Sequence, residues 1–256
     1  MNDILSKKEP EKKLLKFIKQ NAGRSSSGRI TVRHRGRGVK RLYRSVDFGQ
    51  EKIGVLGKVS AIEYDPNRTG FLALVEYQDR DKRYVLCPQG LKVGDDIICT
   101  DKSEVKPGNR LQIKNIPSGT IVFNIEVIPG QGGKLIRSAG SGATVLAQDG
   151  KETHLVMPSG ETRKVSGDCF VTVGSVSHSQ HVFEDLGKAG VKRRKGIRPT
   201  VRGAAMNAVD HPHGGGEGKT PIGLKYPKTP WGKPAKGVKT RKRHWTNKYI
   251  IKRRDK

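Results

Sequence analysis

The chain has 256 residues, with 51 Lys and Arg against 24 Asp and Glu, a formal net charge of +27 and 33% hydrophobic residues. A chain of this size can bury one or two modest cores, but so much like charge repels itself unless a polyanion neutralises it, so the partner is expected to be anionic. No run approaches the roughly 18 apolar residues of a membrane helix, and the first twenty residues are too charged for a secretory signal, which predicts neither a membrane-integral nor an exported protein.

In chain order, residues 1–50 hold 14 basic and 4 acidic side chains and read as a basic N-terminal extension. Helix is expected only over Glu11–Gln20, where Leu14, Leu15 and Ile18 share a face and Asn21, Ala22 and Gly23 supply a stop. The run GRITVRHRGRGVKRLYR then sets Arg29, Arg33, His34, Arg35, Arg37, Lys40, Arg41 and Arg44 among glycines, without one carboxylate. A solvated charge run usually mixes in acidic residues; this one suits the phosphates of a folded RNA, with glycines letting the backbone approach closely.

Residues 51–187 are nearly neutral, with 16 basic and 17 acidic side chains. Short β-rich runs alternate there with turn signals: KVSAIEY, DPNRTG, FLALVEY, QDRDK, RYVLC, then runs at Asp96–Thr100 and Arg110–Ile113. Five short strands before Pro117 suit a Greek-key barrel of the OB type over residues 51–117. A second series, near Ile121–Val127, Ala143–Gln148, Thr153–Met157, Thr162–Val165 and Cys169–Val173, predicts an SH3-like barrel over residues 118–187. The expected fold class is all-β, an OB-fold barrel followed by an SH3-like barrel, with long basic irregular N- and C-terminal extensions. The absence of a long amphipathic helix argues against a doubly wound α/β enzyme. Cys87, Cys99 and Cys169 are odd in number and far apart, giving neither a disulfide framework nor a C-x-x-C half-site, and are expected as buried thiols in a reducing cytoplasm.

Residues 188–256 carry 21 basic and 3 acidic side chains, 10 of the 32 glycines and 6 of the 13 prolines, with apolar residues too scattered for any period. This segment, up to about 200 Å long at about 3.3 Å per residue, is expected to order only against its partner. HPHGGGEGK, from His211 to Lys219, lacks the preceding strand and the G-K-[ST] ending of a P-loop. It fits a backbone pressed on RNA, with His211 and His213 donating to phosphates or 2′-hydroxyls. Asp210 beside His211 is a general-base candidate by adjacency alone. Neither His211 with His213 nor His178 with His181 has two further ligands at a useful spacing, so no metal and no cofactor are expected. TPWGKPAKGVKTRKRHW interleaves Trp231 and Trp245 with cations, including Lys233 and Arg241. Without a core to enter, these aromatics are expected to stack on bases or sugars.

These stretches, with EYDPNR (Glu63–Arg68), GGKLIRSAG (Gly132–Gly140) and GIRPTVRGAAMNAVDHPHGGGEGK (Gly196–Lys219), resemble the universal large-subunit ribosomal protein L-two family in its bacterial type. The match runs from about Pro10 to the C-terminus. The resemblance implies an OB-type barrel and an SH3-like barrel with basic extensions in large-subunit rRNA, the C-terminal one directed toward the peptidyl transferase region. It implies a non-enzymatic structural and assembly protein, acting in the large subunit in the cytoplasm. Its partners would be rRNA, other large-subunit proteins and, through an intersubunit contact, the small subunit. The family's rRNA-contacting arginines fall on Arg68 and Arg137, which read as lone cations on a neutral core, and the histidine discussed for peptidyl transfer falls on His211. Arg198, Arg202, Asn207, Lys219 and Arg253 join the implied RNA-binding set. Departures are a leader of about nine residues before Pro10 where a longer one is usual, RHRGRGVK in place of a GGGHK-like run, and Ala208 in place of Pro.

Three functions compete: a structural rRNA-binding protein, an RNA- or acyl-transfer enzyme using Asp210, His211 and His213, and a non-ribosomal RNA chaperone. The first is expected.

Overall fold

The computed structural model describes residues 4–254; the tips of both expected extensions, residues 1–3 and 255–256, lie outside the described residues. The chain divides into two units, one of residues 1–19, 41–185 and 246–256, the other of residues 20–40 and 186–245.

The first unit carries the strands of both barrels. Strands β1 (Leu15–Phe17) and β2 (Leu42–Arg44) form a small antiparallel pair. Strands β3 (Gly57–Glu63), β4 (Leu72–Tyr77), β5 (Lys82–Leu86) and β6 (Asp96–Ile97) make an antiparallel sheet in the order β5-β4-β3-β6. The second sheet holds β7 (Arg110–Gln112), β8 (Ile121–Phe123), β9 (Ala143–Asp149), β10 (Glu152–Val156), β11 (Thr162–Ser166), β12 (Phe170–Val173) and β13 (Ile250–Lys252), in the order β13-β11-β10-β9-β8-β12-β7. The architecture is all-β, an OB-type barrel followed by an SH3-like barrel.

Side-chain alternation explains why β4 and β5 are apolar on both faces. Ala73, Val75 and Tyr77 with Val85 and Cys87 point into the first barrel's core, whereas Leu72, Leu74, Tyr84 and Leu86 point the other way. In β3 a register shift between Val59 and Ala61 breaks the period, so Val59 and Ile62 share the first core although they are three apart. The second face meets Phe123 and Val176 from the second barrel, and Leu14, Val46 and Phe48 pack on this shared cluster. The second barrel closes around Leu111, Ile113, Val122, Val145, Leu155 and Val171.

Four local expectations are corrected. Glu11–Gln20 is not a helix: one 3-10 turn, Lys12–Leu14, leads into β1. Ten residues are marginal for a helix whose apolar stripe finds no groove, and here Leu14 alone packs on the core while Phe17 and Ile18 stay exposed. Strand Arg110–Gln112 belongs with the second sheet, because Leu111 pairs with Val171 of β12 and enters the second core. The C-terminal segment contributes β13, whose Lys252 and Ile250 pair with Thr162 and Arg163 of β11. A six-residue helix, α1 (Ala189–Arg194), also forms in that segment, with Lys192, Arg193 and Arg194 in its last turn, where cations suit the helix dipole. No helix among the described residues is long and apolar enough to cross a membrane.

Candidate nucleic-acid interface

In the first unit, the positioning of the expected arginines begins at a buried ion pair. Arg110 on β7 and Glu126 are both buried, and Arg110 Nη2 lies 2.9 Å from Glu126 Oε1. Burial draws the guanidinium pKa down, opposed by the Glu126 charge. Breaking such a pair would strand a buried charge, and most of its polar atoms are engaged: Arg110 Nη1 donates to Asn124 O at 2.9 Å, and the Glu126 carboxylate accepts the backbone N–H groups of Gly130, Gly132 and Phe170, each at 3.1 Å, while Arg110 Nε is buried without a hydrogen-bond partner. The carboxylate thereby gathers the loop that opens GGKLIRSAG. Gly133 next lies flat on Asn124, where a Cβ would come within 2.0 Å of Oδ1. Its N–H and Asn124 Nδ2 donate to the Phe48 carbonyl at 3.0 and 3.1 Å.

Phe48 is thus fixed, and two guanidinium groups sit against its ring: Arg137 Cζ at 4.4 Å and Arg68 Cζ at 5.5 Å from the centroid, both within cation–π range. Arg68 also lies 5.9 Å from the Tyr43 ring. Arg44 reaches Glu63 at 3.4 Å and Asp65 at 3.7 Å, and Arg41 Nη1 donates to Pro66 O at 2.9 Å. Arg41, Arg44, Arg68 and Arg137 therefore converge around the EYDPNR turn. The reading of Arg68 as a lone cation needs correction: its Nε is 2.5 Å from Oδ2 of fully buried Asp65. That carboxylate orients the side chain and takes up part of its charge. Glu63 is held from below by the Tyr84 hydroxyl, donating at 2.9 Å, and burial raises that phenol to about 12. Arg137 is exposed and, besides the Phe48 ring, makes a long 3.4 Å hydrogen bond to Gly133 O. Arg253 is exposed just past β13.

The second unit holds 22 Lys and Arg against two carboxylates, Asp210 and Glu217. Segments far apart in sequence pair through their backbones: Gly36 N donates to Gly196 O at 2.8 Å, Val39 N to Arg194 O at 2.9 Å, and Arg198 N to His34 O at 3.0 Å. Gly38, at φ +68°, is required, since a Cβ there would lie 2.6 Å from Arg194 O. With the backbones paired, the side chains line two shallow grooves, one edged by Arg33, Arg35, Arg37 and Arg198, the other by Arg37, Arg193, Arg194 and Arg198. Arg29, Lys40, Arg202, Asn207, Lys219, Lys233 and Arg241 are exposed elsewhere on this unit.

His211 is not on that surface. It is 7% exposed, and its ring occupies the space a side chain on Gly203 would need. Nδ1 accepts the His213 N–H at 3.1 Å, and His213 Nε2 accepts the Lys228 N–H at 2.9 Å, the two rings lying 4.7 Å apart. Nδ1 thus carries no proton for a carboxylate to hold, and Asp210, adjacent in sequence, is exposed. The imidazoles pin the loop's backbone. Trp231 stands at the corner of a turn in which Gly232 N donates to Thr229 O at 2.9 Å; it is 73% exposed, with Arg33 Cζ 5.2 Å from its ring. Trp245 is likewise exposed. The sequence reading missed Phe48 and Tyr43 as the platform under the arginines, and Arg193 and Arg194 on α1; the Gly132-Gly133 pair was the available signal for the first.

Comparison with known families assigns both halves of the chain. A family model described as Ribosomal Proteins L2, RNA binding N-terminal domain, matches residues 11–99, and one described as Ribosomal Proteins L2, C-terminal domain, matches residues 106–232. Lys106 lies just before β7, the first strand of the second sheet. Because the two domains follow each other in one chain and omit only residues 100–105 between them, this protein belongs to the ribosomal protein L2 family, structural RNA-binding proteins of the large ribosomal subunit.

Proposed function

We propose that the protein is a primary rRNA-binding protein, required to assemble the peptidyl transferase region and to join the subunits in translation. The observation that carries this reading is the second unit's excess of twenty positive charges, concentrated on a backbone-paired scaffold with two carboxylates. Cations so placed release counterions when they meet phosphates. Arg68, Arg137, Arg41 and Arg44 anchor the barrels by directed contacts, the grooves lined by Arg33, Arg35, Arg37 and Arg198 follow the backbone of folded RNA, and Trp231 stacks on a base or sugar. The remaining exposed cations, from Arg29 to Arg253, add phosphate contacts. Asp210, His211 and His213 shape a loop and perform no chemistry. The other partners in this reading are neighbouring large-subunit proteins and the small subunit, in the cytoplasm.

Omission reconstitution tests it. Large subunits assembled without the protein should lack peptide-bond formation and fail to join small subunits, and adding it during assembly should restore both. Particles that form, join and react normally without it would overturn the proposal.

A further inference from the structure

The sequence alone leaves His178 and His181 short of metal ligands; folding supplies a third, Glu184. The segment between them, Ser179–Phe183, is a 3-10 helix, with His178 and Glu184 as its flanking caps. At three residues per turn, positions i, i+3 and i+6 fall in one row. Two successive bonds, His181 N to His178 O at 3.0 Å and Glu184 N to His181 O at 3.3 Å, hold that row in register. One ligand atom from each residue lies within 4.8 Å of the others. His178 Nε2 is 3.2 Å from Glu184 Oε1, and His181 Nδ1 is 2.9 Å from Glu184 Oε2.

The hydrogen-bond pattern orients these ligand atoms toward one another. His178 Nδ1 lies 2.8 Å from the Thr69 carbonyl, which can only accept, so Nδ1 is the donor and Nε2 is the nitrogen available to a metal. Nε2 faces a carboxylate oxygen of Glu184, so two metal-ligating atoms stand together. Nε2 of His178 and Nδ1 of His181 are both sealed from solvent and make no directed hydrogen bond, and the His178 side chain is 6% exposed. Phe71 stacks on the His178 ring at 4.5 Å and 13°, fixing its plane. A metal-binding histidine characteristically has its second nitrogen engaged by a carbonyl and its ring held.

We propose that His178, His181 and Glu184 bind a divalent transition-metal ion of the zinc type. Bonds of about 2.0–2.2 Å in a tetrahedral set place neighbouring donor atoms roughly 3.3–3.6 Å apart; each histidine nitrogen lies a little nearer than that to its own oxygen of the Glu184 carboxylate, so small side-chain rotations would admit the ion. Two neutral imidazoles and one carboxylate are a zinc donor set, and Glu184, whose side chain is 28% exposed, leaves one side open for water as the fourth ligand. The site also bears on the arginine platform. The Thr69 carbonyl that orients His178 follows Arg68 directly, and Thr69 Oγ1 accepts the Ala139 N–H at 3.0 Å in the loop of Arg137. A bound ion would tie the ends of both arginine-bearing turns to the 3-10 helix Ser179–Phe183.

The test is titration of the RNA-free, full-length protein, stripped with a chelator, with Zn²⁺ alone by calorimetry and with Co²⁺ alone by visible absorption. The expected result is one equivalent bound, Co²⁺ bands of a four- or five-coordinate ion, and a melting temperature raised by Zn²⁺. Glu184→Gln keeps the side chain's size and His181→Ala removes a ring; each should lose at least tenfold in affinity and abolish the melting shift. Circular dichroism in chelator verifies their folding. If wild-type protein binds no metal, the paired ligand atoms are bridged by a proton and the proposal fails. If both variants bind as tightly as wild type, the ion sits elsewhere and it fails equally. Neither result touches RNA binding, which is measured separately.

Discussion

Arg68 and Arg137 share one aromatic ring but differ in what else they touch, and that difference separates their mutant phenotypes. Arg137 is exposed, so Arg137→Ala should weaken binding to an rRNA fragment by about 1–3 kcal/mol, as for a charge-assisted contact, and leave the thermal midpoint unchanged. Arg68→Ala should weaken binding and lower the thermal midpoint, because it removes the close cation from the fully buried Asp65, leaving Arg44 at 3.7 Å and the neutral Asn67 N–H donors at 2.9 and 3.3 Å; fluorescence anisotropy and thermal melts on the full chain check the pair. Loss of stability in Arg137→Ala, or none in Arg68→Ala, would contradict the geometry. The thiols are buried as the sequence suggests, and burial acts on all three in the same direction. Cys87, Cys99 and Cys169 are free and buried, and burial raises them from 9.0 to about 12, about 11 and about 12. At pH 8 a thiol at about 12 holds roughly a thousandfold less thiolate than one at 9, so alkylation should be negligible until denaturant is added. The folded pKa values exceed the unfolded ones, so the folded state holds these protons more tightly. Their contribution is whole below about pH 9 and is lost as pH rises through 11 and 12, with Tyr84 acting in the same direction. An alkaline melting series should show stability falling over that window. Residue identity was thus enough to flag the cysteines and arginines, but not Asp65 under Arg68, since the contact depends on a turn that puts i and i+3 together.

At the scale of elements, the loop from Gly203 to Gly216 shows how a histidine becomes architectural. His211→Ala would leave the His213 N–H without its acceptor and a void beneath Gly203, so the loop's order fails before any chemistry does. Particles carrying this substitution should be impaired in assembly or subunit joining, while those that assemble fully keep most of their single-turnover peptide-bond rate and its pH dependence. A loss of ~10²- to 10⁴-fold in fully assembled particles, the range for a missing acid–base group, would return His211 to catalysis. The strands were legible because their physics is local: FLALVEY and RYVLC are apolar at successive positions, and β4 and β5 do bury both faces. Arg110–Gln112 was placed with the wrong sheet because three residues carry no record of which neighbour they pair with. Leu14 was rightly apolar-facing, but in a strand-bound turn, since β2 lies far along the chain and only folding brings Leu15 opposite Arg44. Glu184 escaped as a companion to His178 and His181 for a related reason: i, i+3 and i+6 line up in one row on a 3-10 helix, and nothing in SHSQHVFE announces one.

For the whole molecule, the governing quantity is where the charge lies after folding. The extensions drawn from sequence, residues 1–50 and 188–256, do not coincide with the structural units: residues 4–19 and 41–50 belong with the barrels, as does β13. What the second unit retains is an almost unopposed cationic surface, while the first carries 29 basic and 22 acidic side chains. Two kinds of binding should therefore be separable by salt. Directed contacts at Arg68 and Arg137 lose little of their specificity on screening, whereas phosphate neutralisation by the second unit releases counterions and weakens steeply. With ten phosphate contacts, the slope of log affinity against log salt should be roughly −7 to −9. Deleting residues 188–256 would also remove β13 and one partner of each backbone bond that joins the second unit's two segments, so substitution is the cleaner probe. Changing Lys192, Arg193, Arg194, Arg198 and Arg202 to Gln leaves the backbone bonds among Gly36, Gly196, Val39 and Arg194 available. If all five meet phosphates, the slope should flatten by roughly 3.5 to 4.5, with circular dichroism unchanged. Filter binding to one rRNA fragment across a salt series measures this, and an intact protein with a slope near zero, or a quintuple variant with the wild-type slope, would show that this charge does not face RNA.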